Sequence, residues 1–209
     1  MKKFISFEGG EGSGKSTQCK LLVKSLKKIN LNTFFTREPG GTKFSEKIRK
    51  ILIGTEDYKI FPETELLLIY AARHEHVKKK IIPNLKKRIV ICDRFIHSTI
   101  CYQVLLNKIS LNKLDFLHKN FSDNLIPNIT FYLDIDPRIG VNRSKIKNKF
   151  ELKNMNFHKK IRQKFRYLSK KDKKILTINA ELSKKQVHNL IIDRLNKMKL
   201  ANQSIPYSL

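Results

Sequence analysis

The chain has 209 residues, of which 40% are hydrophobic, so it is long enough for one domain with a sizeable core. Its apolar runs are far shorter than the roughly 20 residues that a membrane-spanning helix needs, and the first run ends at Glu8, too early for a secretory signal. The three cysteines lack metal-ligand spacing and favour reduced thiols. These features predict a cytoplasmic protein without a membrane partner.

The chain is strongly basic, with 44 lysines and arginines against 18 acidic residues and a net charge of +26. The basic residues are spread along the sequence instead of being gathered on one element. This distribution is typical of a solvated surface that also attracts small anionic ligands such as nucleotides. We therefore expect no specific nucleic-acid partner.

Short apolar runs alternate with amphipathic stretches along the chain. The apolar runs predict strands at 4–8, 33–37, 88–93, 129–135 and 174–178. The amphipathic stretches predict helices at about 15–29, 43–53, 62–80, 96–107, 111–119, 151–171 and 183–198. This alternation predicts an α/β fold over residues 1–199, with a five-stranded parallel sheet flanked by helices and ligands at the carboxyl ends of the strands. Residues 200–209 are expected to form a loose tail.

The first predicted strand leads into a glycine-rich loop. Residues 9–16 read Gly-Gly-Glu-Gly-Ser-Gly-Lys-Ser and match the pattern Gly-x-x-x-x-Gly-Lys-Ser. In this pattern backbone N–H groups surround a phosphate chain, the lysine reaches the terminal phosphates, and the serine hydroxyl can bind Mg²⁺. The N-terminus of the helix predicted next would also face these phosphates. The expected phosphate-binding residues are Gly9, Gly10, Glu11, Gly12, Ser13, Gly14, Lys15, Ser16 and Thr17.

The next two strands also end in residues suited to an anionic ligand. Residues 37–42 read Arg-Glu-Pro-Gly-Gly-Thr, where the glycine pair allows close approach of a ligand and Pro39 fixes the chain, with a cis bond as one option. Arg37 can clamp a phosphate in bidentate fashion, or it is a surface arginine beside a turn. The third strand ends at Asp93 and Arg94. An aspartate at this place holds Mg²⁺ in many nucleotide sites, or it caps a helix.

Together these segments resemble the thymidylate kinase family, of the bacterial type, among the P-loop nucleoside monophosphate kinases. The resemblance rests on residues 7–18, Thr36-Arg37-Glu38-Pro39-Gly40-Gly41-Thr42, Tyr70-Ala71-Ala72-Arg73, Asp93-Arg94-Phe95, Ser98-Thr99 and Tyr102-Gln103. Their order and spacing agree from residue 4 to about residue 196. The resemblance implies a three-layer P-loop kinase fold, a homodimer, and transfer of the γ-phosphoryl group of ATP to dTMP, giving dTDP and ADP for dTTP biosynthesis.

The resemblance also implies a role for each motif residue. Lys15 and Ser16 would hold the ATP phosphates and Mg²⁺, with Asp93 as a second residue near the metal. Lys15, Arg37, Arg94 and Arg143 are the expected catalytic residues. The expected acceptor-binding residues are Glu11, Arg37, Pro39, Ile69, Arg73, Arg94, Thr99, Tyr102 and Gln103. Among these, Glu11 would contact the 3′-hydroxyl group, while Arg73 and Gln103 would contact thymine.

Residues 141–152 or so resemble the family's lid, a short basic segment in which Arg143, Lys145 and Lys147 would close over ATP. The segment looks a few residues short, and Asn148-Lys149 replaces the usual Asp-Arg pair. A second departure is Ile69, which stands where the family commonly has a phenylalanine that stacks on thymine. Loss of that stacking is expected to cost about 1 kcal/mol and to weaken acceptor binding or relax the choice of base.

Three alternatives stay open at the level of sequence. The first is a different P-loop nucleotide or nucleoside kinase. The second is a nucleotide-binding regulatory module without kinase chemistry, although the Asn-Lys-x-Asp segment that reads guanine in GTPases is missing after the fourth predicted strand. The third is a basic nucleic-acid-binding ATPase.

Overall fold

The computed structural model describes residues 3–55, 60–144 and 148–208. Five parallel strands form one sheet in the order β2-β3-β1-β4-β5. The strands are β1 Lys3–Glu8, β2 Thr33–Arg37, β3 Ile89–Asp93, β4 Ile129–Asp134 and β5 Ile175–Asn179. Each lies on a predicted apolar run. Because β1 pairs with β3, with Phe7 opposite Asp93, the loops that follow these two strands leave the same edge of the sheet side by side.

Helices connect the strands and cover both faces of the sheet. They are α1 Lys15–Lys27, α2 Lys43–Ile53, α3 Pro62–His76, α4 Ile82–Leu85, α5 Ile96–Thr99, α6 Leu111–Phe121, α7 Pro137–Arg143, α8 Met155–Lys171 and α9 Lys184–Lys197. A π-helical segment at Val77–Ile81 joins α3 to α4, and a second one at Ile100–Leu105 continues α5. Within the part of the chain that the structure describes, no helix combines the length and apolar character that crossing a bilayer requires.

One helix was not predicted from the sequence, and another begins clearly later than predicted. Helix α7 was not expected, because its seven residues include a proline and a glycine; Pro137 takes the first turn and the Asp136 side chain caps it by accepting from the Arg138 N–H. Helix α8 begins at Met155 and not at residue 151, since the Asn154 side chain accepts from the Phe157 N–H and caps the helix there.

The hydrophobic core lies on both faces of the sheet because side chains along a strand point to alternate sides. On one face, Ile5 and Phe7 of β1 pack in a cluster with Leu22 of α1 and Ile191 of α9. On the other face, Phe4 belongs to a cluster with Val90, Val77 and Phe95. The helix–sheet–helix layering confirms the predicted three-layer α/β fold with a parallel sheet.

The C-terminal segment is packed against the body of the protein, unlike the loose tail expected from its sequence. Ile205 is buried in the cluster around α1 and α9, and its N–H donates to Asn196 Oδ1 at 2.8 Å. Ser208 Oγ donates to the carbonyl oxygen of Leu21 at 2.8 Å. Two buried apolar side chains, Leu200 and Ile205, and a few hydrogen bonds therefore hold a segment whose local sequence carries no secondary-structure signal.

Candidate active site

Two adjoining cavities open at the carboxyl ends of β1, β2 and β3. The larger cavity, of about 810 Å³, is lined by the loop at residues 11–18 and by Arg37, Asp93 and Arg143. The smaller cavity is lined by Pro39, Ile69, Arg73, Thr99, Tyr102 and Gln103 among others. Glu11 and Arg94 line both cavities. The structure therefore brings most of the predicted phosphate-binding and acceptor-binding residues into two neighbouring spaces, and these two side chains form part of the wall that the spaces share. Gly9 and Gly10 line neither space.

The glycine-rich loop at residues 9–14 links β1 to α1. Gly12 and Gly14 have φ angles of 65° and 88°, in the left-handed region that favours glycine. A Cβ atom at Gly12 would lie 1.7 Å from the carbonyl oxygen of Gly140, so α7 packs directly against the loop. No side chain of the described residues caps the N-terminus of α1, which leaves the N–H groups of its first turn available to a phosphate at the larger cavity.

Lys15 is held inside the loop. Its Nζ donates to the Gly10 carbonyl oxygen at 2.7 Å and to Ser13 Oγ at 3.2 Å. Burial, and then the charge of Arg94, lower the pKa of this ammonium group, against the opposing effect of Glu11 and other carboxylates. A bound anion would supply the compensating charge, which is the environment expected for a lysine that binds phosphate.

Ser16 and Asp93 form the candidate Mg²⁺ site. Ser16 Oγ donates to Asp93 Oδ2, which connects the first turn of α1 to the end of β3. A hydroxyl and a carboxylate are hard oxygen ligands of the kind that Mg²⁺ takes together with waters and substrate phosphates. The described residues contain no cluster of three or more His, Cys, Asp or Glu side chains that could hold a metal ion by themselves. These two residues fit Mg²⁺ that is shared with a nucleotide.

Glu11, Arg94 and Tyr102 form a hydrogen-bonded cluster where the two cavities meet. Glu11 Oε1 accepts from Arg94 Nη2 at 2.8 Å and from the Tyr102 hydroxyl at 2.9 Å. Burial opposes ionisation of Glu11, but the charges of Arg94 and Lys15 and the hydrogen bonds outweigh it and lower the pKa to about 2. Glu11 is therefore a fixed anion at neutral pH and can accept a further hydrogen bond.

Arg94 has an unusual backbone conformation for a residue other than glycine. Its φ angle is 69°, and its N–H donates to the Phe7 carbonyl oxygen at 2.9 Å, which holds the turn against β1. Its Nη1 donates to the Gly9 carbonyl oxygen at 3.0 Å. Strained conformations of this kind persist where the surroundings determine them, often at binding sites. The turn places the Arg94 guanidinium between the glycine-rich loop and the smaller cavity.

Arg73 is almost fully buried and rigidly held at the smaller cavity. Its Nε donates to Glu38 Oε2 at 2.7 Å, and its Nη2 donates to Thr99 Oγ1 at 2.9 Å. The guanidinium also lies over the rings of Tyr70 and Phe95, at 4.9 and 4.8 Å from their centroids. Its Nη1 has no hydrogen-bond partner among the described residues. A buried donor left unpaired is costly, so Nη1 is suited to an acceptor atom on a ligand.

Glu38 and His76 fix the position of Arg73. His76 Nδ1 lies 3.0 Å from Glu38 Oε1, and His76 Nε2 lies 2.6 Å from Thr36 Oγ1. Burial opposes ionisation of Glu38, but the charge of Arg73 and the hydrogen bond from His76 outweigh it and lower the pKa. Since an ionised carboxylate only accepts, Nδ1 carries a proton, and in neutral His76 the Thr36 hydroxyl donates to Nε2. This buried relay was not predicted from the sequence.

The rest of the smaller cavity contains the other predicted acceptor residues. The bond between Glu38 and Pro39 is cis, one of the two forms that the sequence left open. Ile69 lines the cavity, so an aliphatic side chain stands at the place where a phenylalanine ring is common in the family. Gln103 also lines it, and its Nε2 donates to Glu65 Oε1 at 2.6 Å. Glu65 was not singled out in the sequence analysis.

Arg37 and Arg143 line the larger cavity and are both engaged by protein groups. Arg37 is half-exposed and donates to Glu46 Oε2 at 2.9 Å. Arg143, at the C-terminal end of α7, donates to the carbonyl oxygens of Ala180 and Glu181 at 2.8 and 3.1 Å. The other two predicted lid residues, Lys145 and Lys147, lie outside the described residues.

Several residues that shape the site have no strong local signal in the sequence. Glu38 was named only as part of the Arg-Glu-Pro-Gly-Gly-Thr segment. Arg49 of α2 lines both cavities and donates to the Pro39 carbonyl oxygen at 2.9 Å. Gly140 is the only glycine outside the two glycine-rich loops and residue 54, and this isolation was the one available hint that a close backbone contact occurs there.

Comparison with known proteins identifies relatives of the chain over nearly its whole length. The sequence model of the family described as Thymidylate kinase matches residues 7–191. The chain is 46% identical over 199 residues to a thymidylate kinase of Rickettsia bellii (strain RML369-C), covering 92% of this chain and 95% of that protein. It is 45% identical over 195 residues to a thymidylate kinase of Rickettsia africae (strain ESF-5), covering 90% and 95%.

A solved structure agrees with these sequence relatives. The crystal structure of thymidylate kinase from Ehrlichia chaffeensis superposes with a TM-score of 0.76 at 36% identity, and the match covers 93% of this chain and 98% of that chain. These comparisons give no support to a different nucleotide kinase or a regulatory module. The prediction drawn from the motifs is confirmed, and the chain belongs to the thymidylate kinase family.

Proposed function

We propose that the chain transfers the γ-phosphoryl group of ATP to dTMP with ATP in the larger cavity and dTMP in the smaller one. The reaction, which gives ADP and dTDP for dTTP biosynthesis, follows from membership of the thymidylate kinase family. The main support for the placement is that the two cavities share Glu11 and Arg94. Two phosphate chains entering from opposite sides would meet there.

Alignment and charge neutralisation are what phosphoryl transfer chiefly needs. An oxygen of the dTMP phosphate would attack the γ-phosphorus in line, and no general base is needed because that oxygen is already ionised at neutral pH. Lys15 would exchange the Gly10 carbonyl for a terminal phosphate oxygen of ATP. Ser16 and Asp93 would hold Mg²⁺, which supplies positive charge at the phosphates of ATP.

The arginines would complete the neutralisation. Arg94 is buried at the junction of the cavities and would hold the dTMP phosphate. Arg37 would leave Glu46 and bind the dTMP phosphate together with Arg94. Arg143 would leave the carbonyl oxygens of Ala180 and Glu181 to reach the phosphates of ATP. Lys145 and Lys147 are proposed to act with Arg143 when the lid closes and excludes water.

Base recognition is proposed to rest on the unpaired donor of Arg73. Its Nη1 would donate to the O4 carbonyl oxygen of thymine. Cytosine carries an amino group at the same ring position, and this group cannot accept the hydrogen bond. Thr99 and Tyr102 would lie beside the base and sugar, Pro39 and Ile69 would contact the ring, and Glu11 would accept from the 3′-hydroxyl group.

A homodimer is proposed as the state of assembly. Helix α3 packs between α2 and α6, and these three helices carry large apolar side chains that are exposed in the single chain. They are Phe44, Ile51, Leu67, Leu111, Phe116 and Phe121. Apolar surface on neighbouring elements favours association with a second copy of the chain.

Substitution of Lys15 tests the donor site. We expect Lys15→Ala to lower kcat for ADP release with dTMP by about 10²-fold or more, since a charge aligned with the transferring group is lost. Lys20→Ala, at an exposed position of the same helix, is the control and should keep wild-type kcat. The assay would also compare dTMP with dUMP, dCMP and dGMP. A Lys15→Ala variant with near-normal kcat would show that the larger cavity is not the ATP site.

A further inference from the structure

We infer that Glu65 is a specificity-determining positioning residue, which fixes the orientation of the Gln103 amide so that its oxygen faces the smaller cavity as an acceptor. The inference rests on the proposed placement of the acceptor base in that cavity. An amide held in this orientation would explain why the cavity accepts a base that carries a proton on N3.

The geometry around Gln103 leaves one orientation of its amide. Gln103 Nε2 donates to Glu65 Oε1 at 2.6 Å, and an ionised carboxylate can only accept, so the NH₂ group and not the carbonyl oxygen must face Glu65. Gln103 is buried at the wall of the smaller cavity, and its Oε1 has no hydrogen-bond partner among the residues that the structure describes. The cavity side of the amide therefore offers an acceptor.

The carboxylate of Glu65 is itself held at both oxygens. Lys149 Nζ donates to Glu65 Oε2 at 2.9 Å, and the Lys149 N–H donates to the Ile53 carbonyl oxygen at 3.3 Å. Neither partner of this ion pair is fully exposed, with 25% of the Lys149 side chain and 16% of the Glu65 side chain accessible to solvent. Lys149, which lies within the predicted lid, thus connects that segment to the group that orients Gln103.

An acceptor at this position distinguishes pyrimidine bases. N3 of thymine and uracil carries a proton and donates to an oxygen, whereas N3 of cytosine is itself an acceptor and would face Oε1 unpaired. Arg73 Nη1 is a donor and Gln103 Oε1 is an acceptor, and together these two atoms would complement O4 and N3–H. If the Gln103 amide were free to rotate, its NH₂ group would satisfy cytosine N3 and this part of the discrimination would be lost.

The test is the ratio of kcat/KM between acceptor nucleotides in the full chain with ATP. In Glu65→Gln the new amide can donate to Gln103 Oε1, which turns the Gln103 NH₂ group toward the cavity. We expect the preference for dTMP over dCMP to fall about tenfold or more. In the wild type, cytosine N3 faces an acceptor and loses a buried hydrogen bond, whereas in the variant the Gln103 NH₂ group can donate to it. The preference for dTMP over dUMP should stay as in the wild type, because both bases carry N3–H.

Matched variants separate this effect from general damage. Glu63→Gln makes the same chemical change two residues away, at an exposed carboxylate that lies 3.8 Å from Lys113, and should keep both ratios. Lys149→Met frees Glu65 Oε2 and should lower the dTMP over dCMP preference partially, which gives a second measurement if Glu65→Gln does not fold. Thermal unfolding of each variant shows whether it folds.

The outcomes distinguish the inference from the proposed site. The role of Glu65 would be overturned if the kcat/KM ratio of dTMP to dCMP is unchanged in both Glu65→Gln and Lys149→Met. It would also be overturned if the preference for dTMP over dUMP falls as much as the preference over dCMP. Gln103→Leu is the test of the placement itself and should raise KM for dTMP. If it leaves that KM unchanged, the base does not lie at Gln103 and the proposed acceptor site is wrong as well.

Discussion

Glu8 is the clearest example of a single residue whose chemistry depends on its surroundings. It is the last residue of β1, is fully buried, and accepts from the Phe95 N–H at 2.8 Å and from Ser98 Oγ at 2.5 Å. Burial raises the pKa of its carboxyl group to about 7, although these hydrogen bonds and the charges of Arg94 and Lys15 act in the opposite direction. Ser98 also accepts from Arg94 Nη1 at 3.2 Å, so Glu8 supports the arginine turn.

This pKa predicts a fall in stability with rising pH. The Glu8 carboxyl ionises at its ordinary value of 4.5 in the unfolded chain and at about 7 in the native state, so the native state binds more protons between these two pH values. The contribution of Glu8 to the free energy of unfolding therefore falls as the pH rises through this window, by up to about 3 kcal/mol, and stays constant above it.

Glu8→Gln should remove this dependence, because the amide is neutral and can still accept from the Phe95 N–H. We expect the variant to gain stability relative to the wild type as the pH rises from about 5 to about 8, in urea unfolding. Glu63→Gln, at an exposed carboxylate, should follow the wild type. A stability difference between Glu8→Gln and the wild type that is equal at both pH values would contradict the raised pKa.

At the scale of elements, the short helix α7 connects the glycine-rich loop to Arg143. Gly140 lies in the middle of α7, where a Cβ atom would come within 2.4 Å of the Glu11 carbonyl oxygen, and Arg143 ends the same helix. The close contact leaves no room for a side chain between helix and loop. A shift of α7 would therefore move both the loop that surrounds the phosphates and an arginine proposed to reach them.

Gly140→Ala should consequently lower kcat, although the residue touches neither nucleotide in the proposed arrangement. Displacement of reacting groups by about 1 Å can cost about 10²-fold in rate, and we expect a loss between tenfold and this value. Ile139→Ala changes a half-exposed neighbour on the same helix and serves as control. Steady-state kinetics checked against thermal unfolding would measure the effect, and a folded Gly140→Ala variant with wild-type kcat would show that the contact is dispensable.

At the scale of the whole molecule, the exposed apolar side chains on α2, α3 and α6 predict association into a dimer. Leu67 belongs to α3, the helix that contacts both α2 and α6, and 56% of its surface is exposed in the single chain. We expect Leu67→Glu to produce monomers in analytical ultracentrifugation, because it would bring like charges together in an apolar interface.

A matched control uses another exposed apolar position. Tyr167→Glu on α8 introduces the same charge at a side chain that is 53% exposed but lies outside the three helices, and it should leave the dimer intact. The proposal would be wrong if the unmodified chain sediments as a monomer, or if Leu67→Glu and Tyr167→Glu behave alike.

Features that depend on neighbouring residues were predicted from the sequence, whereas contacts between distant residues were not. All five strands of the described residues were predicted, because each is a short apolar run and this signal is local. The signal is strongest in the central strands β1, β3 and β4, which are buried on both faces. The glycine-rich loop was also predicted, since positive φ angles at Gly12 and Gly14 and the start of α1 follow from adjacent residues. The boundaries of helices that pass through π-helical segments were less accurate, because hydrophobic periodicity does not distinguish the two kinds of turn.

The sequence by itself thus determined the order of the elements, the phosphate-binding loop and the family. The tertiary structure alone decided how the site residues are held: Arg73 by Glu38 and His76, Gln103 by Glu65, and the loop by Gly140. The reason is physical. These partners are separated by tens of residues or more along the chain, and only the packing of helices against the sheet brings their atoms within hydrogen-bond distance, so no local pattern encodes them.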